Sequence, residues 1–454
     1  MTATVAPPAP AEAAASRPAP LGAALLFELA KQLSTWRTRL VLLACWLAPA
    51  GFVAVVSQQT PLPADTVFGR WMLSTGWAGA LVILGFASSY ALPLLTSLVA
   101  GDAFAVEDRL GTWRHLVMAV RSPRRIFAAK ALAALVVVLV MVLGLAVSGV
   151  AGGLLSVGNH PLPGLDGHLL SPADAARTVA LAWACALAPT LAYAGVGLLG
   201  SVLLGRNPMG LLVPAVLALG LQLVQALPIP VAVRLALPGS ALITWRGLFM
   251  APAQTGPLVL GIVVALAWAV VSTGAAYALF VRRDFTDLAN DGAGRRTLTG
   301  GVLPLAALTA VTVAVVALAT PASGSGIDKA KLDANLATSF AHLYRLQTAE
   351  LHRPAVTEAQ LGTSADCDRG GSLGEDVGAG NDWRCVVTWH LPGTTATGSA
   401  IYQLDVTADG RYVADGDGPK EVNGYFTVHT VSGDAPNPLW QLDGSVDLLT
   451  PSKG

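Results

Sequence analysis

The chain has 454 residues, of which 54% are hydrophobic and 12% charged, with a mean hydropathy of +0.59. Soluble domains carry roughly 25% charged residues, which excludes a single water-soluble domain and a disordered tail protein. The formal charge is zero, but residues 321–454 hold 9 Lys/Arg against 17 Asp/Glu, so the part before them is basic. No basic stripe marks a soluble domain, and no nucleic-acid partner is expected.

The first twenty residues are rich in Pro and Ala and lack the apolar core of a cleavable signal, so they read as a flexible cytoplasmic tail. Residues 21–39 place Leu25, Leu26, Leu29 and Leu33 on one side of a helix, with Glu28, Lys31 and Gln32 on the other. Two readings fit: an amphipathic interfacial helix with Trp36 at headgroup level, or an extension of the first span.

Crossing the hydrocarbon core takes about 20 apolar residues. Seven stretches qualify: 40–57, 75–100, 131–157, 179–204, 209–227, 257–281 and 301–320, none with an ionisable group in its interior. Pro214 interrupts the fifth. With the N-terminus inside, the cytoplasmic segments hold 15 basic residues, among them Arg109, Arg114, Arg121, Arg124, Arg125 and Lys130. The opposite loops hold 4: Arg70, Arg177, Arg234 and Arg246. That bias predicts a cytoplasmic N-terminus in the plasma membrane and, after seven crossings, an extracytoplasmic C-terminal region. Cys367 and Cys385 both fall there, where an oxidising compartment permits a disulfide worth about 3 kcal/mol, two free thiols being the alternative.

The loop 101–130 is the longest on the inside. Gly111 breaks it, and Ser122-Pro123 reads as a cap followed by a first-turn proline. The predicted layout is a helical continuation of the second span, a turn, a short helix over 112–120 with Leu116, Val117 and Val120 as its apolar face, and a restart into the third span. Such an element can dock in a cleft of a cytoplasmic protein. An ordinary positive-inside loop would need the arginines but not this layout.

The segment Gly101-Asp102, Glu107-Asp108-Arg109, Gly111-Thr112, Ser122-Pro123-Arg124-Arg125 and Lys130 resembles the corresponding loop of ABC-2 type transporter permeases. The amphipathic helix before the first span and the broken apolar connection 228–255 are similar to that family as well, over roughly residues 20–283. The resemblance implies an exporter permease whose helix 112–120 couples to a separate ATPase subunit, through Glu107, Arg109, Gly111, Thr112, Arg114, Leu116, Val117 and Val120. It also implies a second permease, identical or related, in the working unit, with ATP and Mg held by the ATPase and no cofactor on this chain. A seventh span and the domain 321–454 depart from the family's six-span pattern.

The spans carry hydroxyls and amides rather than ionisable groups, which argues against a carrier that couples to an ion inside the bilayer. Ser88, Ser89, Tyr90, Thr96, Thr190 and Tyr193 are candidates for a substrate pathway, helix–helix hydrogen bonding being the other reading. No G-x-x-x-x-G-K-[ST], HExxH or G-x-S-x-G occurs, so no enzymatic activity of its own is expected.

In the C-terminal region, Leu332, Leu336, Phe340, Leu343 and Leu346 recur at helical spacing. Residues 383–389, 401–407, 411–414 and 425–431 read as strands, with a turn at Asp409-Gly410. His342, His352, His390 and His429 show no ligand spacing, and the stretch 415–421 fails the EF-hand template, so no metal site is expected.

The reading is a polytopic α-helical membrane protein: tail 1–20, interfacial helix 21–39, six-helix ABC-2-like domain 40–283, linker and seventh helix 284–320, and an extracytoplasmic α+β domain 321–454. Membrane lipids and an extracytoplasmic partner for 321–454 are further expected contacts. The alternative function is a membrane-anchored receptor or assembly factor that presents the C-terminal domain.

Overall fold

The computed structural model describes residues 19–59, 67–205, 208–285, 294–319, 324–370, 375–431 and 433–449. The tail 1–18, Arg206 and the linker 286–293 lie outside the described residues. Among the described residues the principal helices are α1 (Leu21–Ser34), α2 (Trp36–Val56), α3 (Trp77–Leu110), α4 (Trp113–Val120), α5 (Pro123–Ser156), α6 (Pro172–Leu204), α7 (Met209–Val224), α8 (Gly256–Val281), α9 (Gly294–Leu318) and α10 (Lys329–Glu350), and a shorter helix Val67–Ser74 precedes α3. Six of them, α2, α3, α5, α6, α8 and α9, are long and apolar enough to cross a membrane. The fifth apolar stretch forms α7, which at 16 residues falls short of the six. At 1.5 Å per residue it is about 24 Å long, against a hydrocarbon core of about 30 Å.

Apolar side chains on the outside of the bundle, such as Leu43, Leu47, Val55, Val259, Val263, Val270, Val311 and Val315, remain exposed. Such faces suit a lipid solvent, and in water they would promote association. Inside, glycines bring the helices together. A Cβ on Gly153 of α5 would lie 1.9 Å from the Gly76 carbonyl oxygen at the start of α3, and one on Gly152 would lie 2.5 Å from Ala50 Cα in α2. Ser148 Oγ accepts from Ala50 N–H at 3.0 Å, and Ser201 Oγ accepts from Ala105 N–H at 2.9 Å. Small residues and hydroxyls are the means by which apolar helices pack where water provides no driving force.

Ser122 caps α5 by accepting from Arg125 N–H, and Pro123 takes the first position. α5 has 34 residues and thus spans roughly 50 Å, which sets two ends of the bundle far apart. One end carries α1, α4 and the start of α5. The other carries the loop 157–171, in which Leu162–Pro163 (β1) pairs with Leu169–Leu170 (β2), and the short helices Val231–Leu235 and Ala241–Thr244.

The C-terminal domain sits on that second end. Its antiparallel sheet runs β3 (Ser364–Arg369), β4 (Gly380–His390), β5 (Thr397–Val406), β6 (Arg411–Gly416) and β9 (Gln441–Ser445), while β7 (Thr427–Thr430) and β8 (Gly433–Pro436) form a separate hairpin. Asp328 caps α10, whose Leu332, Leu336 and Phe340 enter the sheet core beside Trp383, Tyr402 and Tyr412. Leu343 is half-buried at the edge of that core and also packs against Gly167 of the loop 157–171. Cys367 and Cys385 form a disulfide, but Cys367 lies on strand β3 opposite Cys385 rather than in a loop.

The domain is joined to the bundle by polar and apolar contacts. Val231 N–H donates to Gly324 O at 3.0 Å, Gln254 Nε2 donates to Ser445 O at 2.5 Å, and Val231 and Leu235 share the apolar cluster of the sheet. The buried Asp166 accepts from Ala251 N–H at 2.8 Å, contacts His168, and pairs with His342 Nδ1 of α10 at 3.3 Å. Burial alone would raise the Asp166 pKa, but the two histidines and the Ala251 N–H hold it well below the usual carboxylate range. Burial alone would lower the His342 pKa, but Asp166 and Glu358 hold it above the ordinary histidine value.

Two outcomes follow. Gly153→Val meets backbone rather than a yielding side chain and should destabilise by about 1–3 kcal/mol or more, seen as a lower melting temperature in detergent, while Gly51→Ala, with open space around it, should leave melting unchanged. Protonated His342 stabilises the docked state, so that contribution is complete below the unfolded histidine pKa of about 6.5 and is lost as pH rises through the raised folded value. Protection of the α10 amides, taken relative to the intrinsic exchange rate at each pH, should therefore be greater near about pH 6 than near about pH 8.5, and His342→Gln should abolish that difference in protection.

Candidate functional site

The loop between α3 and α5 is built around charges that the protein seals from water. Gly111, at φ +66°, ends α3 in the left-handed region that a side chain would strain, and its N–H donates to Glu107 O. Arg121, at φ +55°, makes the second turn between α4 and α5.

Glu107 is fully buried on the last turns of α3. Lys130 Nζ, in the second turn of α5 and 1% exposed, donates to Glu107 Oε1 at 2.7 Å and to Glu28 Oε2 of α1 at 2.9 Å. Lys31 of α1 donates to Glu107 Oε1, and Thr112 Oγ1 donates to Glu107 Oε2. Two carboxylates thus face two ammonium groups, and the cluster is neutral as a whole. A buried charge persists only when it is paired and hydrogen-bonded in this manner.

A second pair lies alongside. Asp108 accepts from Arg283, just after α8, with Nη1 to Oδ2 at 3.1 Å, and from Trp113 Nε1 at 2.8 Å. The Trp113 ring carries Arg283 at 5.2 Å and Lys130 at 5.7 Å from its centroid, and packs with Phe104, Phe280 and Phe285. α4 is therefore tied at its start to α3, α5 and α8, and Glu107 links the same region to α1.

The predicted coupling residues separate into two groups. Arg109, Gly111 and Arg114 are exposed, together with His115 and Met118. Glu107 and Val120 are buried, and Leu116, Val117 and Thr112 are half-buried, so the apolar face of α4 turns toward the protein body. The helix itself begins at Trp113, with Thr112 at its cap position.

Glu28 and Lys130 were outside the predicted set. On α1, Glu28 is buried and Lys31 reaches Glu107, while Leu26, Phe27 and Leu33 are exposed, as is Trp36 at the start of α2. The polar side of α1 faces the protein and its apolar side faces outward, the arrangement expected when the surroundings are lipid. The legible signal was an acid at helical spacing beside a lysine in an otherwise apolar segment.

The predicted pathway residues are likewise divided. In α3 the segment Ala87–Ala91 winds as a π-turn, a feature frequent at functional sites. Ser89 and Tyr90 of that turn line a cavity of about 210 Å³. Ser88 and Thr96 are buried, and among the described residues their hydroxyls have no hydrogen-bond partner. Thr190 bonds back to Ala186 O at 2.6 Å within α6, and the buried Tyr193 hydroxyl of α6 donates to Gln222 Oε1 of α7 at 3.0 Å. Among the described residues, no group of three or more His, Cys, Asp or Glu is placed to hold a metal ion.

No protein-family model, curated protein or solved structure matches the chain.

Lys130→Met leaves Glu107 with Lys31 but takes the ammonium partner from the buried Glu28, which should cost about 3–5 kcal/mol. Melting in detergent should fall and proteolysis within residues 113–121 should accelerate. Adding Glu28→Gln should recover part of that loss, since it removes the charge left unpaired.

Proposed function

We propose that the chain is the transmembrane permease subunit of an ABC-2 type exporter, driven by a separate ATPase that docks on α4 and holds the ATP and Mg. In this reading the end bearing α1 and α4 is cytoplasmic, as the basic residues of its loops favour. The C-terminal domain is then extracytoplasmic, in keeping with its disulfide. A second permease, identical or related, completes the unit, lipids cover the outer apolar faces, and the sheet domain is free to meet an extracytoplasmic partner.

The observation that carries the reading is mechanical. α4 presents Arg114, His115 and Met118 outward, while Trp113 and the buried charges behind it bind its base to helices that run the length of the bundle. A push on the exposed face cannot be absorbed by a loose loop, because displacing α4 would separate desolvated charges. The force would pass into α3, α5 and α8 as a rigid-body movement. Glu107, Thr112, Leu116, Val117 and Val120 act in this scheme as positioning residues, and Arg109, Gly111 and Arg114 lie where a partner can touch them.

The test is reconstitution with the ATPase. Arg114→Glu reverses an exposed charge, and Gly111→Pro cannot adopt φ +66°. Both variants should insert normally yet lose permease-stimulated ATP hydrolysis, by about tenfold or more. Wild-type stimulation in both would refute the assignment of α4.

A further inference from the structure

At the junction between the bundle and the sheet domain, three guanidinium groups converge on the cavity of about 210 Å³ that Ser89 and Tyr90 line. Arg234 comes from the short helix Val231–Leu235, Arg246 from the turn Trp245–Phe249, and Arg411 from the first residue of β6. One carboxylate answers them. Asp409, in the turn between β5 and β6, accepts from Arg411 Nε at 2.8 Å and from Thr407 Oγ1 at 2.6 Å, and lies 3.8 Å from Arg246 Nη1. Among the described residues lining the cavity no other acid occurs, which leaves two positive charges in excess.

Two of the three cations, Arg234 and Arg246, are largely shielded from water, and Arg411 is partly exposed. Arg234 is 3% exposed; its Nη1 and Nη2 donate to the Gln225 and Leu227 carbonyl oxygens, and its buried Nε has no partner among the described residues. Burial first, and then Arg411, pull the Arg246 pKa down to about 9, with Asp409 acting against them. Desolvated cations of one sign gathered around a hollow are costly unless an anion occupies it. Guanidinium forks match the oxygens of a phosphate group, whose charge, approaching about −2 on free phosphate and about −1 on a diester headgroup, offsets all or half of the surplus.

We propose that this cavity between α3, the connection 228–255 and the β5–β6 turn is a binding site for a phosphate group, whether on free phosphate or on a lipid headgroup. Arg234, Arg246 and Arg411 supply the donors, and Asp409 competes with the ligand for two of them. The site stands independently of the ATPase role proposed for α4, because its occupancy requires neither nucleotide nor partner.

The experiment is calorimetric titration of the purified full-length chain in a maltoside detergent with inorganic phosphate at constant ionic strength. Wild type should bind one phosphate. Arg411→Gln, at the most solvent-accessible of the three arginines, should weaken binding by about tenfold, and Arg411→Lys, which keeps the charge but loses the fork, by less. Asp409→Asn should tighten binding, an effect that damage to the turn could not produce. Added phosphatidylglycerol distinguishes the sources: competition with phosphate assigns the site to a headgroup, and an unchanged titration assigns it to the free ion. Absence of phosphate binding to the wild type, unchanged affinity in Arg411→Gln, or weakening by Asp409→Asn would each overturn the proposal.

Discussion

Glu28, Lys31, Glu107 and Lys130 come from three helices and meet where little water reaches them. Glu28, Glu107 and Lys130 would each be prohibitively expensive alone, with Lys31 partly exposed at the edge, so the geometry of any one helix is conditional on the others. α1 must lie with its acid and lysine inward, α3 must extend past its apolar run to deliver Glu107, and α5 must begin early enough to bring Lys130 beneath both. Thr112 and Trp113 then inherit their positions from Glu107 and Asp108. The direction of α4 and the exposure of Arg114 and Met118 follow from this closed set of contacts.

At the opposite end of the bundle the constraint is of another kind. Gly152 and Gly153 let three helices approach until backbone meets backbone, which leaves no freedom to slide. The loop 157–171 and the connection 228–255 are held above that contact, and the sheet domain rests on them through Asp166, His342, Val231 and Gln254. A neutral charge cluster at one end and a positively charged hollow at the other give the molecule two polar sites joined by rigid apolar helices. Their chemistry differs because the first has equal numbers of acids and bases, while the second brings together three arginines and one aspartate.

Long apolar runs, the break at Gly111 and the cap at Ser122-Pro123 were legible because each is local: hydrophobic length, a left-handed turn and a side-chain cap are encoded within a few residues. α7 fell short because the turn after Val224 ends the helix inside an apolar run that composition alone counts as continuous to Leu227. Strand β3, SADCDR, was missed since it is polar except for Ala365 and Cys367 and owes its conformation to pairing with β4. His342 looked isolated in sequence because its partner Asp166 lies far upstream, on a loop of the helical part.

The sequence by itself determined the class of solvent that the chain requires, the approximate ends of the apolar helices, the helix–turn–helix plan of residues 101–130 and the presence of a separate acidic C-terminal domain. These depend on composition and on interactions within a turn or two. Only the tertiary structure decided which side of α1 faces inward, that Glu107 is buried beneath α4 instead of presented on it, and that Arg234, Arg246 and Arg411 share one cavity. Those outcomes depend on charges distant in sequence that must find each other when water is removed, and pairing of that kind leaves no periodic trace along the chain.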